Sequence, residues 1–318
     1  MPIEIVFVAL AGIRQVSHLP EKQIPATVER IKALRTIVKS NHPNAMCIFS
    51  WHEDSICGMN SSHGQEGISL SHKETLINEM LKLTQDDPDL HIFASAIVDK
   101  PIKSFDELKK IRDLYTLHYD IRDEEIGNGY VSRYNEHENH CLNLMEQPHS
   151  PQQKKRSNSC YYFHQNQYIR HDKRAPFAES YNPHIIWQPP KKNHVNSFVT
   201  IHDPKTNNDL DCQLAICREF YFLKRRMPLM IIMSHGTPRD SVMNTDLAEV
   251  IFHVEHFGTY LYISENIPQN KYAVVCYENN VSKASVMLKE IAPTYLEKPV
   301  PELPKMDEGR CLTTRISA

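Results

Sequence analysis

The sequence predicts an α/β fold, and three observations carry that prediction. Apolar runs of strand length recur along the chain, the first at residues 3–10 (IEIVFVAL) and the second at 45–51. Segments with apolar residues at helical spacing separate the early runs. Charged residues make up 24% and hydrophobic residues 41% of the 318-residue chain, the balance of a folded globular protein. Strands alternating with helices argue for stacked layers of sheet and helix.

Residues 24–41 read as a helix because Val28, Ile31, Leu34, Ile37 and Val38 fall on one face. A second helix is expected from Ser69 to Gln85, with Ser71 as N-cap and Glu74 three residues on, the pattern of a capping box. Residues 90–98 (LHIFASAIV) return to strand. Further strands are expected at 197–203, 210–216, 228–234, 259–264 and 272–278, with helices at Asp246–Phe257 and Val281–Ile291. Residues 1–292 are read as a single domain. The chain beyond 292 carries Pro293, Pro299, Pro301 and Pro304 and is expected to be an extended arm.

Residues 100–159 break this rhythm. They open with an amphipathic helix (Phe105, Leu108, Ile111, Leu114 and Tyr115) and end in the polar run His149–Ser157, expected to be a loop. The segment reads as an insertion near a pocket mouth: a lid, a partner surface or a tolerated elaboration.

The formal net charge of -3 gives no electrostatic case for nucleic acid. No apolar run reaches the roughly 20 residues that span a bilayer. The N-terminus lacks the basic and small-residue features of a signal peptide and reads as strand. The eight cysteines show no framework spacing and no C-x-x-C, and several lie in apolar runs, which favours reduced thiols and a cytoplasmic setting. No P-loop, G-x-G-x-x-G or G-x-S-x-G occurs, so no nucleotide cofactor is expected. In NEHENHC, His137 and His140 lie beside Glu136, Glu138 and Cys141, but three-residue spacing is not the H-E-x-x-H of zinc hydrolases. A polar helix is the reading there, with no metal.

The residues that carry chemistry lie elsewhere. The run 210–216 ends in Cys217, followed at once by Arg218 and Glu219. A thiol at a strand's end can face a pocket, and a neighbouring cation favours its thiolate form. The run 45–51 likewise ends in His52 and Glu53. Between them in sequence stands Tyr168–Glu179 (YIRHDKRAPFAE), which offers Lys173 and Glu179. Open α/β sheets place their sites at the carboxyl ends of strands. Each group also has a plain structural reading. Glu53 can cap the turn at Asp54 and Ser55, Lys173 can belong to a solvated basic run with Arg170 and Arg174, and Cys217 can be a core thiol. His235 follows run 228–234 and is placed in the same pocket, whereas His253 and His256 read as packing residues on the expected helix.

The order glutamate, lysine, glutamate, cysteine, in "F-S-W-H-E", "Y-I-R-H-D-K-R-A-P-F-A-E" and "A-I-C-R-E-F", resembles the nitrilase superfamily of carbon–nitrogen hydrolases. His52 stands where the family usually has proline, Arg218 where it has an aromatic residue, and two extra residues, His171 and Asp172, precede Lys173. The resemblance implies a four-layer αββα sandwich, a homodimer through its outer helices, and a small amide as substrate, without cofactor. It implies that Glu53 takes the Cys217 proton and later activates water. Lys173 and the Arg218 backbone N–H would stabilise the oxyanion, each such donor being worth on the order of 3 kcal/mol of barrier. Glu179 would orient Lys173 or protonate the leaving amine, and the Arg218 side chain would bind an acidic substrate or pair with Glu219. The rival reading is a catalytically silent relative whose scaffold or insertion serves partner binding.

Overall fold

The computed structural model describes residues 2–60, 64–113, 141–146, 150, 152–173, 184–190, 197–203, 205–217, 219, 225–235, 247–268 and 270–295. Their elements, in chain order, are β1 (Ile3–Ala11), α1 (Ile13–Val16), α2 (Pro20–Asn41), β2 (Met46–Trp51), β3 (Gly58–Asn60), β4 (Gly64–Glu66), α3 (Leu70–Thr84), β5 (Leu90–Pro101), β6 (Lys154–His164), β7 (Gln167–Asp172), β8 (Ile185–Trp187), β9 (Phe198–Asp203), β10 (Asn208–Ile216), β11 (Met227–Ser234), β12 (Ala248–Glu255), β13 (Gly258–Ile263), β14 (Tyr272–Asn280), β15 (Lys289–Ile291) and β16 (Thr294–Tyr295). Two further helical stretches lie at 105–113 and 141–146.

The strands form two main sheets of mixed direction. The eight-stranded sheet runs β15-β14-β1-β2-β5-β6-β7, with β8 also on β6, and the six-stranded sheet runs β16-β13-β12-β11-β10-β9. In the first, β14, β1, β2 and β5 are parallel neighbours; in the second, β10, β11 and β12 are. Parallel strands are buried on both faces, which is why β2 (MCIFSW) is buried at every residue.

Alternation along β1 assigns its side chains to two different cores. Val6 and Val8 point to one face, where they join Ile24, Val28, Ile31, Leu34 and Val38 of α2 and Leu76, Ile77 and Met80 of α3. Ile5 and Phe7 point to the other, where they meet Leu214, Leu229, Ile231 and Phe252 of the second sheet. The Phe7 and Phe252 rings lie 4.6 Å apart across this seam. Helices, first sheet and second sheet are thus stacked, with strands dominating. No helix among the described residues is long and apolar enough to cross a membrane.

Several expectations need correction. The cap of α3 is Ser69, whose hydroxyl accepts from the His72 N–H at 3.2 Å, and not Ser71. The span 246–257 contains strand β12 and no helix. Val250, Phe252 and Val254 face the other sheet while Ile251 is buried on the opposite face, so the alternation that marks a half-exposed strand is missing. The span 281–291 turns back on itself, and β15 pairs antiparallel with β14. Pro293 is followed directly by β16, which pairs with β13, so the expected arm begins inside the sheet; residues 296–318 lie outside the described residues.

Within the polar run expected to be a loop, Lys154–Ser157 are instead the start of β6. Lys154 to Ser157 pair with Pro101 to Val98 of β5. Each cation in the run has found a carboxylate. Arg156 forms two bonds to Asp99, at 2.8 and 2.7 Å, Lys155 reaches Glu107 at 2.5 Å, and Lys154 reaches Glu66 at 3.2 Å. Tertiary pairing overrides composition here. The segment between β5 and β6 therefore starts after Pro101 and ends before Lys154. Its helix at 105–113 buries Leu108 and Ile111 beside Cys141, Leu144 and Trp187, but leaves Phe105 66% exposed. Leu114 and Tyr115 lie outside the described residues.

Candidate active site

Glu53 is held by the way β2 ends. Trp51 Nε1 donates to the Ser95 carbonyl at 2.9 Å, and the Asp54 N–H donates to Ser95 Oγ at 3.2 Å. The Ser55 N–H and Oγ both donate to the His52 carbonyl, at 3.3 and 2.8 Å, closing a tight turn. Asp54 in this turn has φ 58°, a left-handed conformation. The turn satisfies its own backbone, so the Glu53 carboxylate points inward, 3% exposed, and does not serve as a cap.

Lys173 arrives from the other side. Its N–H donates to the Asn158 carbonyl at 2.8 Å, one rung beyond the Ser159–Asp172 pair of the β6–β7 ladder. This register brings two side chains to one acceptor. Lys173 Nζ lies 2.7 Å and Asn158 Nδ2 2.6 Å from Glu53 Oε1. Glu53 Oε2 accepts the His235 N–H at 3.2 Å, from the end of β11. Lys173 is only 1% exposed, so it is no member of a solvated basic run. A buried ion pair with hydrogen bonds to both oxygens is the arrangement that offsets the cost of taking two charges out of water.

Cys217 follows β10 directly and has φ 55°. Five non-glycine residues with positive φ occur among the described residues. Gln165 and Asn166 make the two-residue β6–β7 turn, and Asn207 turns β9 into β10, where such angles are ordinary. Of the other two, Asp54 directly follows Glu53, and Cys217 itself carries the thiol. A left-handed non-glycine residue costs roughly 1–2 kcal/mol, and such strain gathers at functional sites. Glu219 supports the Cys217 turn. Its Oε2 accepts the Ile216 N–H at 3.0 Å and His171 Nε2–H at 2.9 Å. Ile216 pairs with Met233 in the parallel β10–β11 ladder. Cys217 and the Ser234–His235 pair therefore leave adjacent strands at the same end, and His235 is itself bonded to Glu53.

Cys217 is partly exposed, whereas Cys47, Cys57, Cys141, Cys160, Cys212 and Cys276 are buried. Burial pushes the Cys47 thiol up to about 12, and raises Cys160, Cys212 and Cys276 well above the usual range. Those thiols are inert by environment.

Around the mouth, His235 Nδ1 is hydrogen-bonded to Asp54 Oδ1 at 3.3 Å and lies 3.2 Å from Oδ2, and that bond raises the imidazole pKa against the opposing effect of burial. Burial alone would raise Asp54, but the bonds from His235 and His52 and the charge of Arg14 outweigh it and hold the carboxyl far below its ordinary value. The second glutamate and the arginine of the sequence reading, Glu179 and Arg218, lie outside the described residues, as do His137 and His140. Among the described residues no group of three or more His, Cys, Asp or Glu side chains is arranged to hold a metal ion. His253 sits on β12, not on a helix, and is buried against Ser234 Oγ at 2.7 Å, its pKa pushed down by burial to about 3. His256 lies exposed in the β12–β13 turn.

Asn158, His171, Asp54 and Arg14 are site residues that sequence reasoning missed. Asn158 was hidden by reading the start of β6 as an insertion, and His171 counted only as one of two extra residues in the lysine motif. The signal for Asn158 lay in the alternation of 156–163, where Tyr161 and Phe163 take one face and Cys160 and Tyr162 the other. No family model and no curated protein matches the chain.

Proposed function

We propose that this protein is a thiol-dependent hydrolase of non-peptide C–N bonds, cleaving an amide to an acid and ammonia or an amine, on a scaffold of the nitrilase type. The observation that carries the reading is the buried Lys173–Glu53 pair, 2.7 Å apart, bonded to His235 at the end of β11, while the neighbouring strand β10 ends in a partly exposed cysteine at φ 55°. The stacked helices and two facing sheets are compatible with three layers of an αββα sandwich.

In this reading Cys217 attacks the amide carbonyl. Its proton passes to the Glu53 carboxylate, and the nearby Lys173 ammonium favours the thiolate that remains. Lys173 and a backbone N–H after Cys217 stabilise the oxyanion. The carbonyl re-forms, the C–N bond breaks, and the amine leaves with the proton held by Glu53. Glu53 then takes a proton from water, which attacks the thioester carbonyl and releases the acid and the free thiol.

Exposure of the chain to a panel of small amides, followed by mass spectrometry, tests the proposal. The expected result is an acyl adduct on the Cys217 peptide and release of acid and amine, both lost in Cys217→Ala. Turnover that persists in Cys217→Ala, or the absence of adduct and product across the panel, overturns it.

A further inference from the structure

The face of the first sheet that points away from Glu53 carries a second cluster of charge. Asn158 turns its side chain to Glu53, so by alternation Ser157 and Ser159 face the helices, opposite Val98 and Asp172 in the ladders. Lys155 and Tyr161 lie two residues to either side on the same face, opposite Lys100 and Arg170. Helix α3 packs on this face through Leu76, Ile77 and Met80, and Lys73 lies on the same stripe one turn earlier. Lys73, Lys100 and Arg170 thus occupy positions directed at the layer between helix and sheet, and each is partly buried.

The neighbouring cations hold carboxylates. Lys154, Lys155 and Arg156 pair with Glu66, Glu107 and Asp99. Arg170 Nε donates to Asp172 Oδ1 at 2.6 Å, an oxygen that also accepts Ser159 Oγ at 2.6 Å. The Arg170 guanidinium carbon lies 5.9 Å from the centre of the buried Tyr161 ring. Lys73 and Lys100 form no ion pair among the described residues. Lys100 instead faces Lys155 across the ladder, and like charges directly opposite are destabilising.

The three cations act on one another. Burial, followed by the Arg170 charge, lowers the Lys73 ammonium below its ordinary range. Burial, followed by the charges of Arg170, Lys73 and Lys155, does the same to Lys100 and outweighs the pull of Asp172. Lysines on exposed positions are served by water alone. Cations gathered partly out of water cost free energy unless an anion offsets them.

We propose that Lys73, Lys100 and Arg170 bind a phosphate group, free or carried on a small molecule, on the opposite face of the first sheet from Glu53. The site is independent of the hydrolase reading. The two ammonium groups supply charge-assisted bonds, and with Nε on Asp172 the Nη groups of the Arg170 fork suit phosphate oxygens. Asp172 and the Tyr161 ring keep that fork in place.

Titration calorimetry on the full-length chain uses inorganic phosphate, glycerol 2-phosphate and acetate as probes, and lysine side chains are followed by NMR after reductive methylation with a carbon-13 label. Inorganic phosphate is expected to bind saturably, about tenfold more tightly than acetate, and to shift the Lys73 and Lys100 signals toward those of fully protonated lysine. Lys73→Gln and Lys100→Gln are each expected to weaken phosphate about tenfold, the worth of one charge-assisted bond. Each variant removes a repelled charge and is expected to unfold at no lower denaturant concentration than the wild type, so lost binding is separable from a lost fold. Glycerol 2-phosphate binding as tightly as phosphate supports a carried phosphate group, and binding of phosphate alone supports the free ion. No saturable phosphate binding, acetate as tight as phosphate, or a phosphate affinity unchanged in both variants overturns the site. Lys73 and Lys100 signals that stay still while phosphate binds overturn it as well.

Discussion

The two sheets meet at the same end but deliver different kinds of group. The first contributes Glu53, Lys173 and Asn158, all buried, with the Lys173 and Asn158 side chains each donating to Glu53 within 2.7 Å. The second contributes Cys217 and His235, both partly open to solvent, one of them on a strained turn. The first half is a fixed charge arrangement whose geometry is set by a β-ladder. The second carries the groups that a ligand can reach. Permanent charges are kept from water, and the thiol and the imidazole are left partly exposed.

That contrast is broken most severely by removing the buried cation alone. Lys173→Met leaves the Glu53 carboxylate buried with its neutral donors only, and is expected to lower unfolding stability in denaturant by about 3–5 kcal/mol. The double variant Glu53→Gln/Lys173→Met removes both charges and is expected to recover most of that loss. Asn158→Ala, which takes away one bond to the charged oxygen, is expected to cost roughly 1–3 kcal/mol in the same assay. Cys217→Gly, on the other sheet, accepts φ 55° without strain and is expected to change stability by less than ~1 kcal/mol. A large loss in Cys217→Gly would show that the second half is as tightly built as the first.

The smallest expected effect is in pH dependence. His235 has a folded pKa above its ordinary 6.5, so its stabilising contribution is complete below 6.5 and lost as pH rises through the folded value. Asp54 has the opposite sign. Its contribution is present above 3.8 and lost as pH falls below it. Asp54→Asn is expected to return the His235 titration, followed by NMR, toward 6.5 and to flatten stability above neutrality. An unchanged His235 titration would remove Asp54 from the account of the mouth.

The early strands and helices were legible because β1, β2, α2 and α3 each show one clear period. Glu53, Cys217 and His235 were legible as charged or nucleophilic residues placed just after apolar runs, and Lys173 as the lysine of the polar segment that carries the family resemblance. What failed has common physical causes. Strand β12 is buried on both faces and so lacks alternation, and β6 begins in cations whose partners, Asp99, Glu107 and Glu66, are distant in sequence. Asn158 joins the site through the pairing of β6 with β5 and β7, with only the alternation of 156–163 as a local sign of it, and Arg14 joins through Asp54 and Cys57, which are distant in sequence.

The central claim is that the Glu53–Lys173 pair acts on the Cys217 thiol. Iodoacetamide labelling rates, mapped by peptide across pH 6 to 9 in the wild type and in the Glu53→Gln/Lys173→Met double variant, test it most directly. The account predicts that Cys217 is the fastest thiol near neutrality in the wild type and loses that lead in the double variant while the fold is kept. A Cys217 rate that is identical in the two proteins, or no faster than that of the buried cysteines in either, would contradict it.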